Sequence, residues 1–274
     1  MNEQFRVAQK LGLMFRPETF LPDDLKAWAI SQLQAKSPAL GISQLGARVE
    51  QWPLSLQPDL MERDTMFANW FQRNKIGNAS NASNAERQAN REENLMDEKD
   101  ELKFSHRNVY GRDQVRLRFT AFWTNHFTIS DTQRLPSFST GAYQREFIRA
   151  NMDKTFETMA IEGTIAWPMI MHLDNKDNIG PKSKSGKEEW RRKEKKPATL
   201  NENHARELME LHTISPEGGY TQEDVQELAK IMTGWRPKWT KKKDHGHDVS
   251  FDSEIHEPGK KKVLGKDYKR GKEG

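Results

Sequence analysis

The stretch Leu200-Asn201-Glu202-Asn203-His204-Ala205-Arg206-Glu207-Leu208-Met209-Glu210-Leu211-His212-Thr213-Ile214 decides how the chain is read. At about 100° per residue, Leu200, Leu208 and Leu211 fall on one side of a helix, with Ala205 and Met209 flanking them. A turn signal, Gly218-Gly219-Tyr220, follows. Thr221 with Asp224 three residues later then predicts the capping box of a second helix, with Val225, Leu228, Ala229 and Met232 as its apolar stripe and Gly234 as its stop. Two helices joined by a short turn set the expectation for the rest.

Outward from there the apolar spacing stays helical. Pro22, Asp23 and Asp24 suit a helix start, with Leu25, Trp28, Ala29 and Leu33 as the stripe. After Asp113, the side chains of Val115, Phe119, Phe122, Trp123 and His126 share one face. From about Ala142 to Ala160, Phe147, Ile148, Phe156 and Met159 form a looser stripe that Ile161 extends. The period-two alternation of a strand is confined to a short ribbon around Val249 to Phe251. The expected fold class is therefore mainly α: an irregular multi-helix single domain, residues 1–274, with two long loop insertions. Residues 74–94 read as a low-complexity insertion, because Asn78-Ala79-Ser80-Asn81-Ala82-Ser83-Asn84 offers almost nothing apolar to repay the entropy of ordering. Residues 176–199 read as a basic loop, and 238–274 as a basic, poorly structured tail.

Composition narrows the chemistry. The chain has no cysteine, which excludes disulfides, thiolate nucleophiles and cysteine-held zinc or iron–sulfur clusters, so any metal needs His, Asp or Glu. Only 34% of residues are hydrophobic, 31% are charged and mean hydropathy is −0.95. No run approaches the roughly 18 apolar residues of a membrane span, and no secretory leader is evident, so the expectation is a cytoplasmic, non-transmembrane protein. The net charge of +4 is unevenly spread: segments 182–196, 238–243 and 259–273 are each strongly basic. Glycine, proline and serine interrupt these runs, which favours solvated loops over a nucleic-acid surface. Neither Gly-x-Gly-x-x-Gly after a strand nor a phosphate loop is present, and Ser183 and Ser185 lie in no Gly-x-Ser-x-Gly elbow. Trp235 and Trp239 beside lysines either stack a ring-shaped ligand or pack under a helix end.

The candidate site lies on the opening stretch. His204, Glu207 and His212 fall inside or beside its apolar arc, and Arg206 and Glu210 lie at the margin. Buried ionisable groups cost several kcal/mol unless paired, hydrogen-bonded or metal-bound, so these residues need partners. His126, at the end of an aromatic stripe, and Leu173-Asp174-Asn175 supply candidates. The catalytic set is Glu207, His212, Arg206 and Glu210; the metal set is His126, Asp174, Glu207 and His212, for a divalent ion; Asn175, Asn201 and Asn203 are further polar candidates. No His-Glu-x-x-His motif is present. The same residues read first as a hydrogen-bonded network that fixes helix register, and after that as a catalytic, metal or ligand-binding centre.

Phe122-Trp123-Thr124-Asn125-His126-Phe127, Tyr143-Gln144-Arg145-Glu146-Phe147-Ile148-Arg149, Leu173-Asp174-Asn175 with Ile179-Gly180-Pro181-Lys182-Ser183, Leu200 to Thr213, Gly219-Tyr220-Thr221-Gln222-Glu223-Asp224-Val225 and Thr233-Gly234-Trp235 occur in that order. The chain thereby resembles the bacterial domain-of-unknown-function 1800 family, at least from Val115 to Tyr268. The resemblance lends no catalytic assignment. It implies longer members, so that a C-terminal truncation is expected soon after His256-Glu257-Pro258-Gly259, where the family pattern has His-Asp. It implies frequent export and gene neighbours of a sulfatase-like family, hence envelope or polymer work. Position 204 is often aromatic in the family, which discounts His204 as catalytic. Two functions follow as expectations: a hydrolase-type site, metal-assisted or not, or a non-catalytic helical binding or scaffold protein with a protein or polymer partner.

Overall fold

A computed structural model describes residues 3–11, 23–34, 58–74, 83–110, 113–129, 134–192, 200–239 and 245–269. The chain expected to form one domain divides into two compact units. The first comprises Met1–Arg63, Trp70–Thr128 and Phe138–Met159; the second comprises Asp64–Asn69, Ile129–Ser137 and Ala160–Gly274.

In the first unit, helices α1 (Glu3–Leu11), α2 (Leu25–Gln34) and α6 (Gln114–His126) pack together. Helix α2 starts where its acidic cap predicts: Asp24 Oδ1 accepts from the Ala27 amide at 2.9 Å, satisfying an orphan first-turn donor. Leu25, Trp28, Ala29 and Leu33 turn half inward. Helices α3 (Leu60–Asn74), α4 (Asn84–Asn94) and α5 (Met96–Tyr110) follow in the chain, with Asp64–Asn69 of α3 assigned to the second unit. Helix α4 corrects the expected insertion at 74–94, of which residues 75–82 lie outside the described set. Its sequence is polar, but Ala, Glu, Arg and Gln are strong helix formers whatever their polarity. Its start is a capping box: the Ser83 amide donates to Glu86 Oε2 at 2.8 Å and the Glu86 amide returns to Ser83 Oγ at 3.3 Å.

Helix α6 buries a different face from the expected one. Gln114, Val115, Arg116, Leu117 and Thr120 point inward, while Phe119 and Phe122 stay exposed, Phe122 at 56%. Arg116 can go in because its guanidinium finds carbonyls, donating to Leu33 O and, at 2.9 Å, to Arg149 O. The helix expected over 142–160 is several pieces: α7 (Arg134–Tyr143), a π-turn Gln144–Ile148, α8 (Arg149–Asn151) and, after a break, α9 (Phe156–Ile165). Thr155 restarts it by accepting from the Thr158 amide at 3.2 Å. Phe147, Ile148 and Met159 are buried as their spacing suggests; Phe156, in the restarted first turn, is exposed. Buried Asp100 pairs with Arg63, Lys103 and Arg145, and a Cβ at Gly141 would lie 2.1 Å from its carboxyl carbon.

In the second unit α10 (Trp167–His172) is buried from Trp167 to Met171. Asp174, at φ 57°, then reverses the chain into a 3₁₀ turn, Asn175–Asp177. The expected basic loop 176–199 instead contains α11 (Lys184–Arg192); residues 193–199 lie outside the described set. Helix α12 (Asn203–Glu207) widens into a π-helix, Leu208–Thr213. The i→i+5 pattern turns each residue through a smaller angle, so the buried arc slips: His204, Ala205, Met209 and His212 line up inward. Leu211, expected in the core, is 61% exposed. Helix α13 (Gln222–Met232) is as read, with the reciprocal Thr221–Asp224 box at its start and Val225, Ala229 and Met232 buried. Ala205, Met209, Val225, Ala229, Met232 and Val263 form one core cluster, with Leu208, Ile214, Tyr220, Leu228 and Ile231 packed against it.

The expected unstructured tail, 238–274, folds as two antiparallel ribbons, with 240–244 and 270–274 outside the described set. Strand β1 (Trp235–Trp239) pairs with β2 (His245–Phe251), which contains the ribbon anticipated at Val249 to Phe251. Strand β3 (Lys261–Val263) pairs with β4 (Lys266–Tyr268) across Leu264-Gly265, both at positive φ, as a tight hairpin turn requires. Acids of α13 hold this hairpin: Glu227 Oε2 accepts from the Lys262 amide at 3.0 Å and Asp224 Oδ1 from the Leu264 amide at 2.6 Å. The fold is mainly α with two short ribbons.

Candidate functional site

The polar residues of the second unit form two frames. The first grows from the left-handed turn at Asp174. Asn175, fully buried, donates through Nδ2 to Met232 O at 3.1 Å and Trp235 O at 2.9 Å, tying the turn to the end of α13 and the start of β1. Asn178 Nδ2 donates to Asn175 Oδ1 at 3.1 Å and Ala229 O at 2.9 Å. Asn178 Oδ1 accepts from the Asn201 amide at 3.1 Å, and Asn201 Nδ2 donates to Asp174 O at 3.0 Å. Asn203 closes the set, its amide donating to Asn201 Oδ1 at 3.0 Å and its Nδ2 to Leu173 O at 3.4 Å. Asparagine suits this work because one short side chain carries two donors and an acceptor to backbone groups that helix and strand ends leave unmade.

The second frame stitches residues 180–185 to 254–257. The Gly180 amide donates to Ile255 O and the Ser185 amide to Glu254 O, both at 2.9 Å. A Cβ at Gly180 would meet the Glu257 backbone at 2.6 Å, so only glycine allows the approach. Glu257 Oε2 accepts from the Lys182 amide at 2.8 Å, and the Glu257 amide donates to Thr233 Oγ1 at 2.8 Å. His256 Nδ1 donates to Thr233 O at 2.7 Å, leaving Nε2 to accept from the Lys261 ammonium at 2.9 Å. Burial first, and then Lys261, hold the His256 pKa below the ordinary histidine value. Sequence reading missed this frame and Asn178 alike; Asp174-Asn175-x-x-Asn178 with Asn201-x-Asn203 was the available signal.

The expected catalytic residues divide. Arg206 is engaged on a partly exposed helix face: its guanidinium donates to Gln222 Oε1 at 2.7 Å, Glu202 Oε2 at 3.1 Å and Glu210 Oε1 at 3.3 Å. Glu210 is thus an ion-pair partner. Glu207 is half-buried and, among the described residues, joins neither the asparagine frame nor these pairs. Asp174 pairs with Lys176 at 3.1 Å. His212 is buried.

His204, 1% exposed, has neither ring nitrogen hydrogen-bonded. Burial, with the neighbouring imidazoles of His212 and His172, holds its pKa down to about 3. His172, at the end of α10, went unnoticed in the sequence. Its own pKa is lowered by burial, against the raising effect of Asp174.

The four expected metal ligands do not belong to one unit: His126 is in the first, and Asp174, Glu207 and His212 are in the second. Among the described residues no three His, Asp or Glu side chains are grouped as ion ligands. His126 sits instead in an aromatic cluster, stacked on Phe122 at 14° and edge-on to Trp123 at 87° and Phe127 at 84°. Phe156 completes it, 6.0 Å from His126 and 5.9 Å from Trp123.

These features define a mainly α protein whose second unit is organised around buried asparagine and histidine. A family model described as "Protein of unknown function (DUF1800)" matches residues 6–274, and the chain belongs to that family. No curated protein and no solved structure matches it significantly. Among the described residues, no helix is long and apolar enough to cross a membrane.

Proposed function

We propose that the chain is a non-catalytic helical binding or scaffold protein, in which the polar cluster between Leu173 and His212 is a structural frame. One observation carries this reading: both side-chain amide donors of Asn175 and both of Asn178 are spent on protein groups, leaving neither residue a donor for a substrate, and Asn201 Nδ2 donates to Asp174 O. Arg206, a candidate catalytic residue, is engaged by Glu202, Glu210 and Gln222. The partner is a protein or a polymer, as the exposed rings of Phe122 and Phe156 beside Trp123 and His126 suit apolar or ring-shaped faces. The stability cost of breaking the cluster accordingly falls on the asparagines and not on Glu207. Asn175→Ala should lower the melting temperature markedly while Glu207→Gln does not. Wild-type stability in Asn175→Ala would overturn the reading.

A hydrolase-type site, with or without a divalent ion, is the second reading. Its support is the set of His172, His204 and His212, with Asp174 beside His172. Elemental analysis of purified wild type and His212→Ala tests it: stoichiometric metal in the first, lost from a folded second, establishes the centre. No metal and no hydrolytic turnover in either removes it.

A further inference from the structure

The first unit contains a surplus of buried and half-buried positive charge. Arg107 at the end of α5, Arg116 in α6 and Arg149 in α8 surround a single carboxylate, Asp113, which is itself buried. One oxygen of that carboxylate, Oδ2, serves Arg107 at 3.3 Å and Arg149 at 3.4 Å. Both separations exceed the roughly 2.7–2.9 Å of a well-made guanidinium–carboxylate bond. Arg116 does not reach the carboxylate; its guanidinium donates to Leu33 O and Arg149 O. Arg107 Nε, Arg116 Nε and Arg149 Nη1 are buried without an acceptor, and Asp113 Oδ1 is buried without a donor.

The helix adds to the imbalance. Asp113 occupies the N-cap of α6 but makes no side-chain capping bond, and of the first-turn amides Val115 N is taken by Gln32 Oε1 at 3.0 Å. The remaining positive end of the helix dipole therefore acts in the same place as three guanidiniums. The Asp100 cluster of the same unit differs: both its carboxylate oxygens are engaged, Oδ2 by Arg63 and Oδ1 by Lys103 and Arg145.

We propose that Arg107, Arg116 and Arg149, with the N-terminus of α6, form a binding site for a second oxyanion of the phosphate class. A tetrahedral oxyanion offers forked, planar donors more acceptor oxygens, in more directions, than one carboxylate does. It neutralises charge that Asp113 leaves uncompensated. Burial, with Arg107 and then Arg116 opposing Asp113, has pulled the Arg149 pKa down to about 10, in keeping with a guanidinium short of anions.

The test is titration of the full chain with inorganic phosphate against sodium chloride of equal ionic strength, followed by calorimetric binding and thermal unfolding. Saturating phosphate should raise the melting temperature by about 3 °C beyond the chloride control. Arg149→Gln should weaken phosphate binding at least about tenfold, as expected for losing a buried charged contact. Asp113→Asn, which removes the competing anion, should strengthen it. No calorimetric binding to wild type, or equal stabilisation by phosphate and chloride, overturns the proposal. So does unchanged affinity in folded Arg149→Gln; if that variant does not fold, weaker binding by Asp113→Asn overturns it instead.

Discussion

Asn175 and His204 are each 1% exposed and lie in the same unit, yet they are treated oppositely. Asn175 has both amide donors on backbone carbonyls and its oxygen on Asn178; His204 has neither nitrogen engaged. The amide is a neutral group that burial penalises only if its bonds are unmade, so a complete set makes it an anchor. An unbonded imidazole has a cheaper way out: it stays neutral, and its pKa falls. The frame is thus insensitive to pH and the histidine region is not.

Removing Asn175 should break that contrast with the largest effect. Asn175→Ala strands Met232 O, Trp235 O and an amide donor of Asn178, and should cost about 3 kcal/mol in urea unfolding, at the upper end for buried unsatisfied groups. The loss should be the same at pH 7 and pH 5.

His204 sharpens the contrast through pH. Its folded pKa of about 3 lies below the ordinary value of 6.5, so the unfolded chain binds the extra proton first. Stability from this group is complete above pH 6.5 and falls as pH drops through the window from 6.5 to 3, by up to about 1.4 kcal/mol per pH unit. Wild type should lose about 2 kcal/mol between pH 6.5 and 5, and His204→Phe should flatten that limb. An unchanged acid limb in the folded variant would show that other groups govern it.

A smaller loss is expected at the N-cap of α13. Thr221→Ala removes the side chain that accepts from the Asp224 amide, and should cost about 1 kcal/mol by thermal unfolding. Glu207→Gln, outside both frames, should change stability by less than about 0.5 kcal/mol, as for an ordinary peripheral substitution.

Local signals were legible and long-range ones were not. Helix α13 could be read whole, since its cap, stripe and stop lie within fourteen residues, Thr221 to Gly234. The helix at Leu200 to Ile214 was legible as a helix, but its buried face was not, because the π-widening after Leu208 shifts the phase that a regular wheel assumes. The face of α6 was misjudged for another reason: carbonyls from Leu33 and Arg149 drew Arg116 inward, and neither is adjacent in sequence. Within the candidate site, Asn175, Asn201 and Asn203 could be named from composition, but not their task. The groups Asn175 and Asn178 bind on α13 and β1 lie 51, 57 and 60 residues away. Polarity hid α4, whose helix formers and Ser83–Glu86 cap were present in the letters.

The most direct test of the central claim is a double-mutant cycle on Asn175 and Asn178 by urea unfolding. If the asparagines are one frame, joined through Asn178 Nδ2 and Asn175 Oδ1, the two alanine substitutions should couple by about 1 kcal/mol or more. Additive losses, or wild-type stability in either single variant, would contradict the frame and leave Asn175 a ligand-binding candidate.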